Sequence, residues 1–240
     1  MLCFSHIISN FALRDARGTR KAQLAPVWSR RQPRRIRDQT WDQEYLLCAA
    51  CERLRKRWED VVAATLAGLG DGREARPDIY HDNEFPGLMV RFHGMRYAEV
   101  KLWVLSTLYL MHHATGRDWR DFHLLPEEEL RIGARLRSGN PGADLEYQIL
   151  GTVTARSSAT RGVRGGVIAP GWIVERRDGF PQTRMAQFWA LDVQWLVFLG
   201  DWPDNPAREA RLREDGSWRP LVDRDFESVA RAAAALDLDL

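Results

Sequence analysis

Hydrophobic residues that recur every three or four positions predict a helix that begins just after residue 51. Its opposite face, which includes Arg55, is charged, and Gly68 and Gly70 predict where it ends. Residues 97–111 are apolar on nearly every face and predict a buried helix. Pro126 and the three glutamates after it suit a first helical turn, so a short helix is predicted from Pro126 to Leu136. The apolar positions of the first helix are Leu54, Trp58, Val61, Val62, Leu66 and Leu69.

The period of the pattern changes to two from residue 145 onward, which predicts strands. Alternation runs over residues 145–151, and further strands are predicted over residues 163–174 and 185–199, with Val193-Gln194 as a turn or bulge in the last stretch. A final helix is predicted over residues 223–236. Helices followed by strands and a helix indicate an α+β fold with an antiparallel sheet. The polar segment 71–78 predicts a linker between a module of residues 1–70 and a domain of residues 79–240.

The net charge of +2 conceals a strongly basic stretch near the amino terminus. Between Arg14 and Arg37 there are nine basic side chains and one acidic side chain, Asp15. Arginine binds phosphate well because its planar guanidinium donates two hydrogen bonds at once. Two interpretations are open: a basic arm that contacts nucleic acid, or a solvated loop in an arginine-rich sequence. The candidate contacts for nucleic acid are Arg30, Arg31, Arg34, Arg35 and Arg37.

The three cysteines are too few, and odd in number, for a disulfide framework. Cys48-x-x-Cys51 stands where a strand-like segment meets a helix, which is typical of half a zinc site. Cys3-x-x-His6 would supply two further ligands and complete a Cys3His centre. A redox interpretation is the weaker one, because no βαβ pattern surrounds the motif. The remaining interpretation is a pair of buried cysteines that act as small hydrophobic residues.

Two segments resemble a group of bacterial proteins that carry an HNH-like domain, of the treble-clef or His-Me finger type. The first is Ser-His-Ile-Ile-Ser-Asn-Phe at residues 5–11, and the second is Tyr-Leu-Leu-Cys-x-x-Cys-Glu at residues 45–52, followed by a helix that contains Trp58-Glu59. The resemblance continues at residues 102–111, 125–128 and 140–142. It differs in two places. Glu52 stands where nucleases often carry His or Asn, and a C-x-x-C pair that relatives carry ahead of the first segment is not in this sequence.

The resemblance implies a small amino-terminal zinc-knuckle module, followed by a helical segment and an antiparallel sheet domain. It also implies a structural zinc at Cys48 and Cys51. His6 would be the general base that activates water, and a magnesium or manganese ion would polarise the scissile phosphate. His6 cannot easily act both as a zinc ligand and as a catalytic base. Glu52 is better explained as a structural carboxylate at the start of the helix than as a metal ligand.

Two functions are therefore expected, and the sequence does not decide between them. The first is a nucleic-acid-binding HNH-like protein that acts on DNA or RNA, with metal-dependent endonuclease activity if His6 is catalytic. The second is a catalytically inactive zinc-knuckle scaffold that binds a protein partner in a multi-protein system, for example an anti-phage defence complex or a phage-encoded counterpart. No apolar run approaches eighteen residues and no leader pattern is present, so we expect a cytoplasmic protein without a membrane span.

Two further groups of residues need a structural explanation. His112 and His113 end the predicted buried helix, with His123 close behind. They are either a second acid–base site or, as we favour, charges that complement the carboxyl end of the helix dipole. Trp103, Trp189 and Trp195 lie in apolar runs and are predicted to be in the core.

Overall fold

The computed structural model of the chain describes residues 2–7, 25–28, 33–36, 43–71, 78–81, 88–116, 119–154, 167–175, 183–190, 193–200 and 210–223. Its helices are α1 (Ala49–Asp71), α2 (Tyr97–His113) and α3 (Pro126–Ser138). All three lie where the hydrophobic pattern predicts them. The structure does not test the predicted final helix, because residues 224–236 lie outside the described residues. Asp223, where that helix is predicted to begin, ends a strand.

Strands account for most of the remaining described residues. They are β1 (Leu2–His6), β2 (Ala25–Trp28), β3 (Pro33–Ile36), β4 (Gln43–Cys48), β5 (Asp78–His81), β6 (Leu88–Arg91), β7 (Ile149–Thr154), β8 (Val167–Glu175), β9 (Thr183–Ala190), β10 (Val193–Phe198) and β11 (Leu221–Asp223). Within the described residues β1 and β4 form a two-stranded antiparallel ribbon. The others form one sheet in the order β3-β2-β8-β9-β10-β7-β11-β6-β5.

The predicted α+β class is confirmed, and the larger sheet is mainly antiparallel. It also has two parallel pairings, β2 with β8 and β7 with β11, which the sequence pattern does not predict. Parallel neighbours need a long connection that carries the chain back to the same end of the sheet. Both pairs are far apart in the sequence, so the chain has the length that this requires.

Two details of the strand prediction are wrong. The alternation predicted over residues 145–151 becomes regular strand only from Ile149, because residues 144–147 form a turn in which Tyr147 adopts a φ of 51°. Val193 and Gln194 do not form a turn or bulge. They are the first residues of β10, and Val193 pairs with Ala190 across the hairpin.

The core lies between α2 and the sheet. Trp103 of α2 is fully buried and meets Phe188 of β9 and Trp195 of β10 edge-on, with ring centroids 6.1 and 5.4 Å away. Trp195 stacks on Trp218 at 5.3 Å. Gly151 of β7 allows this stack, since a Cβ atom there would lie 2.2 Å from the Trp218 ring. Trp103 and Trp195 are confirmed as core residues, whereas the side chain of Trp189 lies outside the described part of the structure.

The amino-terminal segments join the rest of the molecule at two places. Helix α1 packs against α2, and β2 pairs with β8. The predicted linker overlaps the end of α1 and the start of β5, and residues 72–77 between them lie outside the described residues. None of the helices that the structure describes is both long enough and apolar enough to cross a bilayer.

Candidate functional site

The predicted metal-binding and catalytic residues lie on a ribbon–helix unit, which we define as β1, β4 and α1. The antiparallel register places Leu2 opposite Cys48, Cys3 opposite Leu47 and His6 opposite Gln43. His6 therefore lies at one end of the ribbon, and the Cys-x-x-Cys motif lies at the other, where β4 runs into α1. The connection between the strands, which carries the basic stretch, leaves the ribbon at the His6 end.

Two polar contacts hold the His6 segment against α1. The hydroxyl of Ser5, which is fully buried, donates to the carboxylate of Glu52 at 2.8 Å. The guanidinium of Arg55 donates to the carbonyl oxygens of His6 and Ile7 at 2.5 and 2.9 Å. These carbonyls lie where the ribbon pairing ends, at its last paired residue and the residue after it, so Arg55 supplies donors where the β1–β4 pairing stops. Through this hydrogen bond the Glu52 carboxylate joins the first turn of α1 to β1.

Cys48 and Cys51 lie side by side at the start of α1. Their sulfur atoms are 3.4 Å apart, and the backbone N–H of Cys51 donates to Cys48 Sγ at 3.5 Å. That backbone bond, together with the Cys51 thiol and the N–H of Ala50, lowers the pKa of the Cys48 thiol. Contact with Cys48 and partial burial raise the pKa of Cys51. The two thiols thus differ in how readily each loses its proton.

The other two predicted zinc ligands do not join this pair. Cys3 lies next to Leu2 in β1, and successive side chains in a strand face opposite sides, so Cys3 and Cys48 are on different faces of the ribbon. His6 is near the far end of the ribbon, roughly 15 Å from Cys48 at the usual rise per strand residue. The described residues supply two of the four ligands that a closed zinc centre needs. Zinc binding at Cys48 and Cys51 therefore stays a prediction.

The catalytic ion that the HNH resemblance implies has no ligand set in the described part of the chain. His6 and Glu52 are the candidate ligands for this ion. Among the described residues, neither belongs to a group of three ligand atoms that could hold it. The carboxylate of Glu44 in β4 accepts hydrogen bonds from Thr115 and Gly116 at 2.8–3.0 Å instead. The described residues of this unit do not fit a catalytic metal centre.

The predicted nucleic-acid contacts are described only in part. Arg34 and Arg35 belong to β3, which lies at one edge of the larger sheet. The backbone of β3 pairs with β2. Arg30, Arg31 and Arg37 lie outside the described residues.

A second cluster joins the ends of α2 and α3. Nε2 of His112 and Nε2 of His113 lie 3.5 and 3.3 Å from the two oxygens of the Glu129 carboxylate. Among the described residues these are the three ligand atoms, all within 4.8 Å of one another, that could in principle hold a metal ion. Sequence reasoning noticed the two histidines but missed Glu129. The sequence does place Glu129 in the first turn of the predicted third helix. It does not predict the helix packing that brings Glu129 to α2.

The hydrogen bonding of His112 argues against a metal at this cluster. Its Nδ1 accepts the backbone N–H of Leu124 at 3.1 Å, so the neutral ring carries its proton on Nε2, the atom that faces Glu129. A metal-binding histidine needs the opposite arrangement, with a lone pair toward the ion and a proton on the outer nitrogen. Burial, together with the neighbouring His113, lowers the pKa of His112. The cluster is best described as two histidines within ion-pair distance of one carboxylate, and the bond from Leu124 favours a structural role for His112 over metal binding.

No protein-family model, curated protein or solved structure matches this chain.

Proposed function

We propose that this chain is a nucleic-acid-binding protein whose ribbon–helix unit is HNH-like. The observation that carries the proposal is the arrangement of β1, β4 and α1. An antiparallel ribbon runs directly into a helix that packs against it, and the connection between its strands leaves beside His6. That connection holds the nine basic residues found between Arg14 and Arg37. The positive charge of the amino-terminal region is therefore concentrated in the segment that connects the two strands of this unit.

Electrostatics supports phosphate as the ligand of this region. Arginines make bidentate hydrogen bonds to phosphate oxygens, and each such interaction releases counterions from the nucleic acid. The ribbon also gives the basic stretch a fixed origin, because Arg55 and Glu52 hold the Ser5–Ile7 segment on α1. A flexible basic tail would lack this anchor.

Binding is tested with the full chain and labelled single-stranded DNA, double-stranded DNA and RNA, by fluorescence anisotropy over a range of salt concentrations. We expect binding that weakens steeply with salt. Combined replacement of Arg30, Arg31, Arg34, Arg35 and Arg37 by alanine should weaken it. The slope of log K against log salt should become shallower by about 0.9 for each duplex phosphate that the variant no longer neutralises.

The matched control is the combined Arg53→Ala and Arg57→Ala variant, which removes exposed arginines from α1 and should change binding little. Absence of binding to all three nucleic acids at low salt would overturn the proposal. Equal losses of affinity in the two variants would show that the basic stretch has no special role.

Phosphodiester hydrolysis is a second candidate, favoured by the position of His6 at the end of β1 with its carbonyl held by Arg55. Since the described residues do not fit a catalytic metal centre, this candidate rests on His6 alone. The same preparations, incubated with plasmid and magnesium or manganese, decide between the candidates. Cleavage by the wild type that disappears in His6→Ala, with binding retained, supports an enzyme. Binding without cleavage supports the scaffold alternative.

A further inference from the structure

A buried tyrosine on the loop before β7 carries a polar atom for which the fold supplies no partner. We propose that the hydroxyl of Tyr147 and the guanidinium of Arg131 form a binding site for a small phosphate group, either free phosphate or the terminal phosphate of a larger molecule. The two residues lie on the loop before β7 and on α3. The proposal is therefore independent of the ribbon–helix unit and of the proposed function.

The Tyr147 hydroxyl is buried without a hydrogen-bond partner. The residue is 4% exposed, and within the part of the chain that the structure describes its phenolic oxygen makes no hydrogen bond. Buried tyrosine hydroxyls usually have a partner, because the loss of hydration costs free energy that an unmade hydrogen bond does not return. A phenylalanine would fill the same space without that cost. The hydroxyl therefore indicates a ligand at this position.

The chain around Tyr147 fixes where this hydroxyl lies. Its φ of 51° is in the left-handed region, which bulky residues rarely adopt, and its ring lies in the core. On one side of it, Arg135 of α3 donates two hydrogen bonds to the Glu146 carboxylate, at 3.0 and 2.7 Å. On the other side, the carbonyl of Gln148 accepts the N–H of Phe198 at 3.0 Å. The position of the hydroxyl is thus set by the fold.

Arg131 supplies the positive charge of the proposed site. It lies one helical turn before Arg135 on the same face of α3 and is exposed. Burial raises the pKa of Tyr147, and among the neighbouring charges Arg131 opposes this increase most strongly. Its Nε donates to the carbonyl of Glu127 at 3.3 Å, whereas its terminal nitrogens make no hydrogen bond or ion pair with the described residues. These nitrogens are therefore available as donors.

The balance of charge around the hydroxyl favours an anion. The two carboxylates beside it already have partners. Glu146 pairs with Arg135, and Glu128 accepts hydrogen bonds from Arg184 of β9 at 2.9 Å. Within the described residues no carboxylate pairs with Arg131. One positive charge therefore remains uncompensated next to a hydrogen-bond donor that has no acceptor.

A phosphate group matches these donors. Its terminal oxygens can accept two N–H groups from the guanidinium and the O–H of the phenol at the same time. Burial keeps the phenol of Tyr147 protonated at neutral pH, so it donates to an anion and does not repel it. The hydroxyl is covered, and the exposed side chain of Arg131 can change rotamer without movement of the backbone. This limited opening suits a small or terminal phosphate better than a phosphodiester within a chain.

The test is a calorimetric titration of the full chain with inorganic phosphate at constant ionic strength. We expect saturable binding that Tyr147→Phe and Arg131→Ala each weaken by about tenfold, because each variant removes a hydrogen bond to a charged ligand. Arg131→Ala changes an exposed position and should fold as the wild type does. The matched control is Arg137→Ala, which removes another exposed arginine of α3 and should leave phosphate binding unchanged.

The source of the phosphate is identified by competition. This arm uses the variant that lacks the five candidate arginines of the basic stretch, so that nucleic-acid binding there does not interfere. Displacement of phosphate by a 5′-phosphorylated oligonucleotide, but not by the same oligonucleotide without that phosphate, would identify a terminal phosphate. Phosphate binding that neither oligonucleotide disturbs would identify free phosphate.

Two results would overturn the proposal. The first is an absence of phosphate binding to the wild type, or binding that both Tyr147→Phe and Arg131→Ala retain. The second is a loss of stability in Tyr147→Phe that is the same with and without phosphate while phosphate binding is unchanged. That result would show that the hydroxyl binds an internal water molecule.

Discussion

At the scale of single residues, His112 shows how one hydrogen bond fixes the chemistry of a cluster. The ring accepts the Leu124 N–H on one nitrogen and faces Glu129 with the other. Protonation would turn the accepting nitrogen into a donor and break the bond to Leu124. The titratable groups around the ring are His113, His123 and Glu129, of which the carboxylate alone favours protonation of His112.

This arrangement predicts a loss of stability on acidification. The pKa of folded His112 lies below its ordinary value, so the unfolded chain binds more protons as the pH falls through about 6.5, and the free energy of unfolding decreases. Urea unfolding between about pH 7.5 and 5.5 should show this decrease, and His112→Asn should make the dependence shallower. His93→Asn, at an exposed position, is the control. An unchanged dependence in His112→Asn would contradict the prediction.

At the scale of elements, the ribbon–helix unit depends on a residue that the sequence pattern places on the wrong face. Arg55 belongs to the predicted charged side of α1, yet it is 2% exposed. The reason is that its guanidinium bonds the carbonyls of His6 and Ile7, and Glu59 lies 3.1 Å from the same group. Helical periodicity cannot show this, because the partners are almost fifty residues away in the sequence.

Arg55→Met keeps the aliphatic stem of the side chain but removes these donors. Two backbone carbonyls then lose a charged partner, and we expect the free energy of unfolding to fall by about 1–3 kcal/mol. Hydrogen exchange should accelerate in β1 and the adjoining residue Ile7 more than in α2. Arg57→Met, at an exposed position on the same helix, should leave exchange in β1 unchanged. Equal exchange in the two variants would show that Arg55 does not hold the ribbon.

The sequence predicts those features of the fold that are determined by residues close together in the chain. The three helices follow from periodicity and from Pro126, because these signals lie within each segment. The start of β7 does not, since the turn around Tyr147 interrupts a regular alternation of residue types. For the candidate site, the contact of Cys48 with Cys51 follows from their spacing. The separation of Cys3 and His6 from that pair follows from strand register, which local sequence patterns do not encode.

At the scale of the whole molecule, an ion pair between Glu128 and Arg184 joins α3 to the sheet. Glu128, in the first turn of α3, is 4% exposed and accepts hydrogen bonds from the Leu125 N–H at 2.7 Å and from Arg184 of β9 at 2.9 Å. The carboxylate therefore accepts a backbone hydrogen bond at the start of α3 and pairs with a cation of the sheet at the same time. Removal of such a buried partner leaves the other charge uncompensated.

Glu128→Ala should therefore lower the free energy of unfolding by about 2–4 kcal/mol, less than for a fully buried pair because Arg184 is partly open to water. The neighbouring variant Glu127→Ala removes an exposed glutamate from the same turn and should cost under about 1 kcal/mol. Denaturant unfolding of the two variants provides the comparison. Similar losses of stability in both would mean that the ion pair does not bind the layers together.

The pairing of β2 with β8 has a consequence for how the chain can be divided. The hairpin of β2 and β3 lies between β1 and β4 in the sequence, yet it completes the larger sheet. A cut after α1 would therefore separate β2 from its neighbour and leave the edge of β8 with unpaired backbone groups, which invite pairing between chains. The amino-terminal third and the remainder share one sheet. We therefore expect that neither part folds correctly when it is expressed without the other.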